Sequence, residues 1–200
     1  MLTNSASVSS LVWTDYRLAL LVAVFIPLTL LIWSLVEKSE AISALMTIYW
    51  RVASLFAISI YMTIAGWSVG FAAALVAKIL VPVSLWFWAD LNEEIREQPK
   101  RALNLGFNAW RWAMSAYCLV SGLLQLALIR CAFAGSLIDG DVCQAWLQPA
   151  LGYKDAIHGE GFKPTFLAIL GATALVIYAL YLAYFLLVRL SRQGRSALNQ

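Results

Sequence analysis

The longest uncharged stretch of the chain runs from Val52 to Ala77, 26 residues bounded by Arg51 and Lys78. As an α-helix it would extend about 39 Å, enough to cross a hydrocarbon core of about 30 Å with some tilt. The chain is 62% hydrophobic and 12% charged, whereas soluble domains carry about 25% charged residues. It therefore lacks the polar surface that a globule in water needs, and we expect an all-α, multi-pass helical membrane protein.

The preferred interpretation places four transmembrane helices in one integral membrane domain, residues 1–200. The spans cover about residues 18–36, 52–77, 112–129 and 166–188. Two further apolar segments, 41–50 and 79–89, are predicted to be interfacial because each is too short to span alone. Pro27 predicts a kink in the first span, with Thr29 placed to bond the freed carbonyl.

An alternative interpretation divides residues 41–89 into a hairpin of two spans, which gives five spans in total. Its turn would fall at Gly66–Gly70, a segment without the Asn, Asp or Pro that usually mark turns. It would also bury Arg51 and Lys78, at a cost of about 2.5–3.5 kcal/mol for each cation on the insertion scale. Both interpretations give the C-terminal half the same orientation.

The cations predict which side of the membrane each loop faces. Residues 90–111 hold four Lys or Arg and predict a short solvated helix broken at Pro99, while the tail after residue 188 holds three. The 35-residue loop 131–165 holds only two. The positive-inside rule then places 90–111 and the tail in the cytoplasm and 131–165 across the membrane. Four spans put the N-terminus inside, and five put it outside.

Two cysteines, Cys131 and Cys143, lie 12 positions apart in the predicted outside loop. In an oxidising compartment they could form a disulfide worth about 3 kcal/mol; otherwise they are two separate buried thiols. Cys118 lies within a predicted span and is expected to serve packing.

The residue types that carry catalysis are scarce. The single histidine, His158, supports neither a multi-histidine metal site nor a nucleophilic triad, and the sequence has no phosphate-binding loop motif. With no basic run, nucleic acid is not expected as a partner. We therefore predict no enzyme activity and no cofactor. The least favoured hypothesis is an enzyme acting on lipids or pigments, with its only polar cluster in the loop at Asp139, Asp141, His158 and Glu160.

Helix-packing signals occur in two places. Gly66, Gly70 and Ala74 are small residues at intervals of four, which let another helix approach closely. Tyr178, Tyr181 and Tyr184 recur every three residues in the last span. Both patterns fit packing within the protein. The tyrosines also fit docking to a partner helix or a flat pigment, and the glycines also fit contact with another protein.

Lys78 and Gln125 are the candidates for an intramembrane polar site. Lys78 is interpreted as an end residue whose amine snorkels to the interface, and Gln125 as a side chain that bonds a neighbouring helix. No carboxylate lies inside any predicted span, which weakens the case for a proton-coupled carrier.

Three segments, residues 10–18, 26–33 and 86–92, resemble a family of small multi-pass membrane proteins of cyanobacteria that is catalogued as a domain of unknown function. The resemblance carries no catalytic residues. It implies a thylakoid or plasma membrane, with the 131–165 loop in the lumen or periplasm, and leaves room for bound chlorophyll, carotenoid or lipid.

Together these observations predict a non-catalytic accessory or assembly subunit. It would contact membrane lipids and dock on a larger membrane complex, a photosynthetic one if the resemblance holds. The alternative is a small transporter or channel, which rests on Lys78, Gln125 and the kinked first span.

Overall fold

The computed structural model describes residues 5–99, 101–133, 141–159 and 161–197, and every regular element in them is helical. The elements are α1 (Ser5–Ala19), a π-helical segment π1 (Leu20–Phe25), α2 (Ile26–Val36), α3 (Glu40–Ile64), α4 (Ser68–Phe87), α5 (Ala89–Glu97), α6 (Ala102–Leu126), α7 (Arg130–Phe133), α8 (Asp141–Gln144), α9 (Leu147–Ile157), α10 (Pro164–Tyr184), a second π-helical segment π2 (Phe185–Arg189) and α11 (Leu190–Gln193).

Four helices in the described part are long and apolar enough to cross a membrane. They are Val8–Val36, Glu40–Ile64, Ser68–Phe87 and Pro164–Arg192. α6 is a further helix of 25 residues that packs against α4 and α2. The bundle is made of five long helical rods, which alternate in direction along the chain. They are α1–π1–α2, α3, α4, α6 and α10–π2–α11.

We call one end of the bundle the tail end, because the C-terminal segment contacts it: the N–H of Ala89 donates to the carbonyl of Arg195 (3.2 Å). We call the other the cap end, because the short helix α9 lies there: Ser9, near the start of the first helix, donates to Gln148 in α9 (2.6 Å). The first and last described residues therefore lie at opposite ends of the bundle.

The predicted single span 52–77 is wrong, and so is the interfacial placement of residues 41–50 and 79–89. α3 ends at Ile64 and α4 begins at Ser68, so these segments belong to two long antiparallel helices, as in the hairpin alternative. Gly66 makes the turn with a φ of 76°, a conformation that glycine adopts without steric cost. One glycine replaces the turn residues that the sequence lacks.

Other predicted boundaries shift by several residues. The first helix begins at Ser5 rather than near 18, and α6 begins at Ala102 rather than near 112. α5 ends at Glu97, so the predicted break at Pro99 is confirmed. The 131–165 loop contains the short helices α7, α8 and α9, and the last span agrees closely with Pro164–Arg192.

The main core fills the tail-end half of the bundle. Its largest fully buried side chains come from α3, α4, α5 and α6, and they include Ile42, Leu45, Met46, Tyr49, Leu85, Leu91, Ile95, Phe107 and Met114. Residues 41–49, predicted to be interfacial, thus contribute the centre of this core. They looked too short to span because Arg51 ends the uncharged segment, but α3 continues past Arg51 to Ile64.

The first helix is fixed to this core through carbonyls near Pro27. Because proline has no N–H, the carbonyl of Ala23 loses its helical donor, and the Tyr49 hydroxyl donates to it instead (2.7 Å). The adjacent carbonyl of Val22 accepts from Trp110 Nε1 (2.8 Å). Thr29 bonds the carbonyl of Phe25 (2.9 Å), so its predicted role at the freed carbonyl is wrong. The disturbed helix is satisfied by α3 and α6 rather than by itself.

Candidate functional site

A cavity of about 510 Å³ lies in the cap-end half of the bundle. Its walls come from α1 and π1, α3, α4 and α6, and α9 covers it at the cap end. The volume falls within the range of small-molecule sites, about 300–1,000 Å³. The first helix packs on α3 towards the tail end, and the space opens where the two separate.

The wall of this cavity carries a buried ion pair between Asp15 and Lys78. Lys78 Nζ lies 3.4 Å from Asp15 Oδ2, and the two side chains are only 5% and 19% exposed. Lys78 stands near the middle of α4, at the depth of the hydrocarbon core if this helix crosses the membrane. Each charge alone would be costly there, so the pairing is what makes the position tolerable.

Asp15 has two further hydrogen-bond donors, both from α6. The Tyr117 hydroxyl donates to Asp15 Oδ1 (3.0 Å), and the Ser121 hydroxyl donates to the same oxygen. Lys78 has a weaker second neighbour, the ring of Trp146, whose centroid is 5.6 Å from Nζ. The carboxylate is therefore satisfied by three groups, whereas the ammonium depends mainly on one.

Gln125 presents a hydrogen-bond acceptor beside this pair. Its side chain is fully buried and lines the cavity, and Nε2 donates to the carbonyl of Phe71 (2.8 Å). The other amide atom, Oε1, is buried and has no hydrogen-bond partner in the described part of the chain. Such an atom costs about 1–3 kcal/mol unless something in the cavity donates to it.

Aromatic side chains form the cap-end wall. The Tyr61 hydroxyl and His158 Nε2 are hydrogen-bonded at 3.0 Å. Burial, together with the neighbouring Tyr61, raises the pKa of Tyr153 to about 12, so this phenol stays neutral at physiological pH. The cavity thus combines an ion pair and a free amide oxygen with a neutral aromatic wall.

The cavity is closed towards the tail end and open to the side. Ala23 and Trp50 line its inner limit, and the main core continues from there. Exposed residues at the rim, Val24, Ser54 and Ala57, lie between the first helix and α3. The geometry is that of a one-sided pocket rather than a continuous pore.

A family model for a protein of unknown function, DUF3177, matches residues 9–198, nearly the whole chain. The chain belongs to the DUF3177 family. No curated protein and no solved structure matches it. The match supports the resemblance to a domain of unknown function and assigns no activity.

The structure brings Lys78 and Gln125 together, as two walls of one cavity in this DUF3177 chain. The interpretation of Lys78 as a snorkelling end residue is wrong, because its amine points into the bundle towards Asp15. The prediction that Gln125 bonds a neighbouring helix is confirmed. The sequence reasoning missed Asp15, which was placed just outside the first span. No sequence pattern marked Asp15, because the helix that carries it begins at Ser5 rather than near residue 18.

The small residues pack within the protein. A Cβ on Gly70 would lie 2.6 Å from Thr63 Oγ1 and 2.8 Å from the carbonyl of Ser59, so this glycine lets α4 approach α3. Gly66 makes the turn, and Ala74 lines the cavity. The sequence reasoning missed Gly171, which brings α10 against α3: its Cβ would meet Met62 Cγ at 3.0 Å.

The three tyrosines of α10 do not share one environment. Tyr178 is half-buried, with its hydroxyl 3.5 Å from the carbonyl of Val52. Tyr181 and Tyr184 are exposed, at 47% and 60%. The first tyrosine therefore packs inside the bundle, and the other two face its surroundings.

Cys131 and Cys143 form a disulfide at the cap end, with Cα atoms 5.6 Å apart, and Cys118 is a buried free thiol. Of the loop cluster named as an enzyme candidate, Asp139, Glu160 and the side chain of Asp141 lie outside the described residues. Among residues that are described, no group of three or more His, Cys, Asp or Glu could hold a metal ion.

Proposed function

We propose that this protein is a small membrane carrier that binds its substrate in the cap-end cavity. The observation that carries the proposal is the Asp15–Lys78 ion pair, buried at mid-helix on the wall of a cavity large enough for a small molecule. Ionisable residues at this depth are expensive, and in membrane proteins they mark substrate and ion pathways. A purely structural contact would be served equally well by apolar side chains of similar size.

The shape of the cavity favours a carrier over an open channel. The packed core closes it towards the tail end, so passage across the membrane requires the helices to rearrange. The first helix is the element best placed to move, because the cavity separates it from α3. A substrate with an apolar body and one polar group suits the wall, since the ion pair and Gln125 Oε1 stand among aromatic side chains.

We further propose that all five rods cross the membrane, with the tail end in the cytoplasm. The tail end carries Arg96, Arg101 and the three arginines of residues 189–195, which fits the positive-inside rule. The disulfide at the cap end fits a lumenal or periplasmic compartment, where such bonds persist. The N-terminus would then lie on the side opposite the cytoplasm.

Cysteine accessibility in sealed vesicles tests the carrier proposal. In a Cys118→Ser background, Ala74→Cys places a thiol on the cavity wall, and Ala41→Cys places a matched thiol in the fully buried core. Because α9 covers the cavity at the cap end, a reagent from that side enters only when the helices of a carrier rearrange. We expect a membrane-impermeant thiol reagent to label the cavity variant slowly from the cap side, since thiols react as thiolates in water. The core variant should remain unlabelled until the protein is denatured.

Two outcomes would contradict this proposal in different ways. If Ala74→Cys is not labelled from either side, the cavity is dry and the carrier loses its substrate site. If it is labelled from both sides at once in the resting protein, the cavity is continuous and the protein is a channel.

A second candidate function, an accessory or assembly subunit, is favoured by α10. This helix stands at the edge of the bundle against α3, and Tyr181 and Tyr184 project from it into the surroundings. If the chain is cyanobacterial, as the resemblance implies, a photosynthetic complex of the thylakoid membrane is the expected partner. Gly66 and Gly70 no longer support docking, because both are used internally.

The test of this second candidate is a pull-down of the tagged protein from its native membrane in mild detergent, with mass spectrometry and an absorption spectrum of the eluate. A stoichiometric complex would support an accessory subunit. A colourless protein that elutes without partners would leave the carrier as the sole candidate.

A further inference from the structure

A second concavity, which we call the arginine groove, lies on the outer surface of the tail-end half. It has a volume of about 380 Å³ and runs between α3, α4 and the C-terminal part of α10 with π2. Its walls are almost entirely apolar, with Ile48, Val83, Phe87, Leu182 and Phe185 among them. Among the lining residues that the structure describes, two are cations, Arg51 and Arg189, and none is Asp or Glu.

Arg51 has an unusual position for a cation. It is exposed on α3, near the middle of a helix that can span a membrane, about 17 Å from its first residue. No ion pair within the described residues involves it. An unpaired arginine at this depth on a lipid-facing surface is costly unless an anion reaches it.

The direction of the helices points both arginines towards the same stretch of groove. Helical side chains lean towards the N-terminus of their helix. α3 begins at the tail end, so the Arg51 side chain leans towards that end. The last helix runs the opposite way, so Arg189 leans from the tail end back into the groove. A single anionic group lying between them would contact both.

We propose that the arginine groove binds one anionic phospholipid from the tail-end leaflet. The lipid phosphate lies between Arg51 and Arg189, and an acyl chain lies along the apolar wall. Guanidinium groups bind phosphate through paired, charge-assisted hydrogen bonds, and the apolar wall matches a chain that already lies in the bilayer. This site is on the opposite face of α3 from the cavity and does not depend on the carrier proposal.

The test uses native mass spectrometry of the detergent-purified, full-length protein with defined lipids. Dioleoylphosphatidylglycerol and dioleoylphosphatidylcholine are titrated separately, since they share acyl chains and differ in net charge. We expect one phosphatidylglycerol to be retained with at least tenfold preference. Arg51→Gln should weaken its retention about tenfold, and Arg51→Lys should weaken it less, because the charge remains without the bidentate geometry.

Arg96→Gln is the matched control. It removes the same charge from the tail end, but Arg96 is 79% exposed on α5 and does not line the groove. Equal retention of the two lipids overturns the proposal, and so does an Arg51→Gln variant that behaves like Arg96→Gln. A lipid-free dimer that Arg51→Gln dissociates would also overturn it, because a second copy would then occupy the groove.

Discussion

The Asp15–Lys78 ion pair predicts that, in a double-mutant cycle, the two single variants lose different amounts of unfolding free energy. The variants are Asp15→Asn, Lys78→Met and the combination of both, each close in volume to the residue it replaces. Removing one partner from a buried ion pair costs about 3–5 kcal/mol, because the other charge is left uncompensated. We expect the two single variants to lie at different ends of this range.

The two costs differ because each ion retains different neighbours when its partner is removed. After Asp15→Asn, the Lys78 ammonium stays 5% exposed and loses its charged partner, keeping only neutral neighbours such as the amide of the new asparagine and the Trp146 ring, whose centroid lies 5.6 Å from Nζ. After Lys78→Met, the Asp15 carboxylate keeps the hydroxyls of Tyr117 and Ser121 and its partial exposure to the cavity. We therefore expect Asp15→Asn to cost about 5 kcal/mol and Lys78→Met about 3 kcal/mol.

The double variant removes both charges and leaves an amide that still accepts from Tyr117. It should cost about 1–3 kcal/mol, so the coupling between the two positions is about 5 kcal/mol or more. The assay is equilibrium unfolding in mixed micelles with increasing sodium dodecyl sulfate, followed by tryptophan fluorescence and by circular dichroism. The exposed pair Arg96–Glu93 is the control, where the same cycle should give a coupling below about 0.5 kcal/mol.

Two results would refute this reasoning. Additive single and double variants would mean that the two charges do not interact in the membrane protein. A Lys78→Met variant that is less stable than Asp15→Asn would mean that the hydroxyls of α6 do not support the carboxylate as the structure indicates.

Three further predictions concern how the helices are held together. Tyr49→Phe should cost about 1–3 kcal/mol of unfolding free energy in the same micelle assay, because the carbonyl of Ala23 is then buried without a donor, whereas no measurable loss would argue against the bond. Gly171→Val should cost about 1–3 kcal/mol and expose α10 to proteolysis, since its Cβ would already lie 3.0 Å from Met62 Cγ; wild-type resistance would contradict the close approach. Cys143→Ser should lower the unfolding free energy by about 3 kcal/mol, and a reductant should lower that of the wild type equally. If Cys143→Ser is as stable as the wild type, the disulfide is not formed.

Composition and periodicity were sufficient for the fold class. An uncharged run such as Val52–Ala77 must be buried or face lipid, and helices are the simplest way to satisfy its backbone there. Pro99 ended a helix, and Gln125 found a backbone partner, because both effects depend on the residue itself. The helix end at Pro99 is a local property, and a buried amide needs a partner wherever it lies, so both could be predicted. The identity of that partner, Phe71, 54 positions earlier in the chain, could not.

The hairpin of α3 and α4 was missed because its cost was judged for isolated cations. Lys78 is buried beside Asp15, 63 positions earlier in the chain, and no local pattern links the two. Arg51 faces outward from α3, so the bundle interior does not have to accommodate it. The insertion penalty was correct for an unpaired charge, but pairing between distant helices removes most of it.

The two sets of contacts on the first helix explain why the cavity lies where it does. Towards the tail end, π1 is fixed by the donors Tyr49 and Trp110, which bond carbonyls that Pro27 and the π-helical turn leave free. Towards the cap end, Asp15 holds the same helix to α4 and α6. Between these two levels the helix separates from α3, and the separation is the cavity. The ion pair therefore both lines the site and sets its width, so a ligand that competes for Asp15 or Lys78 would also loosen the helix that encloses it.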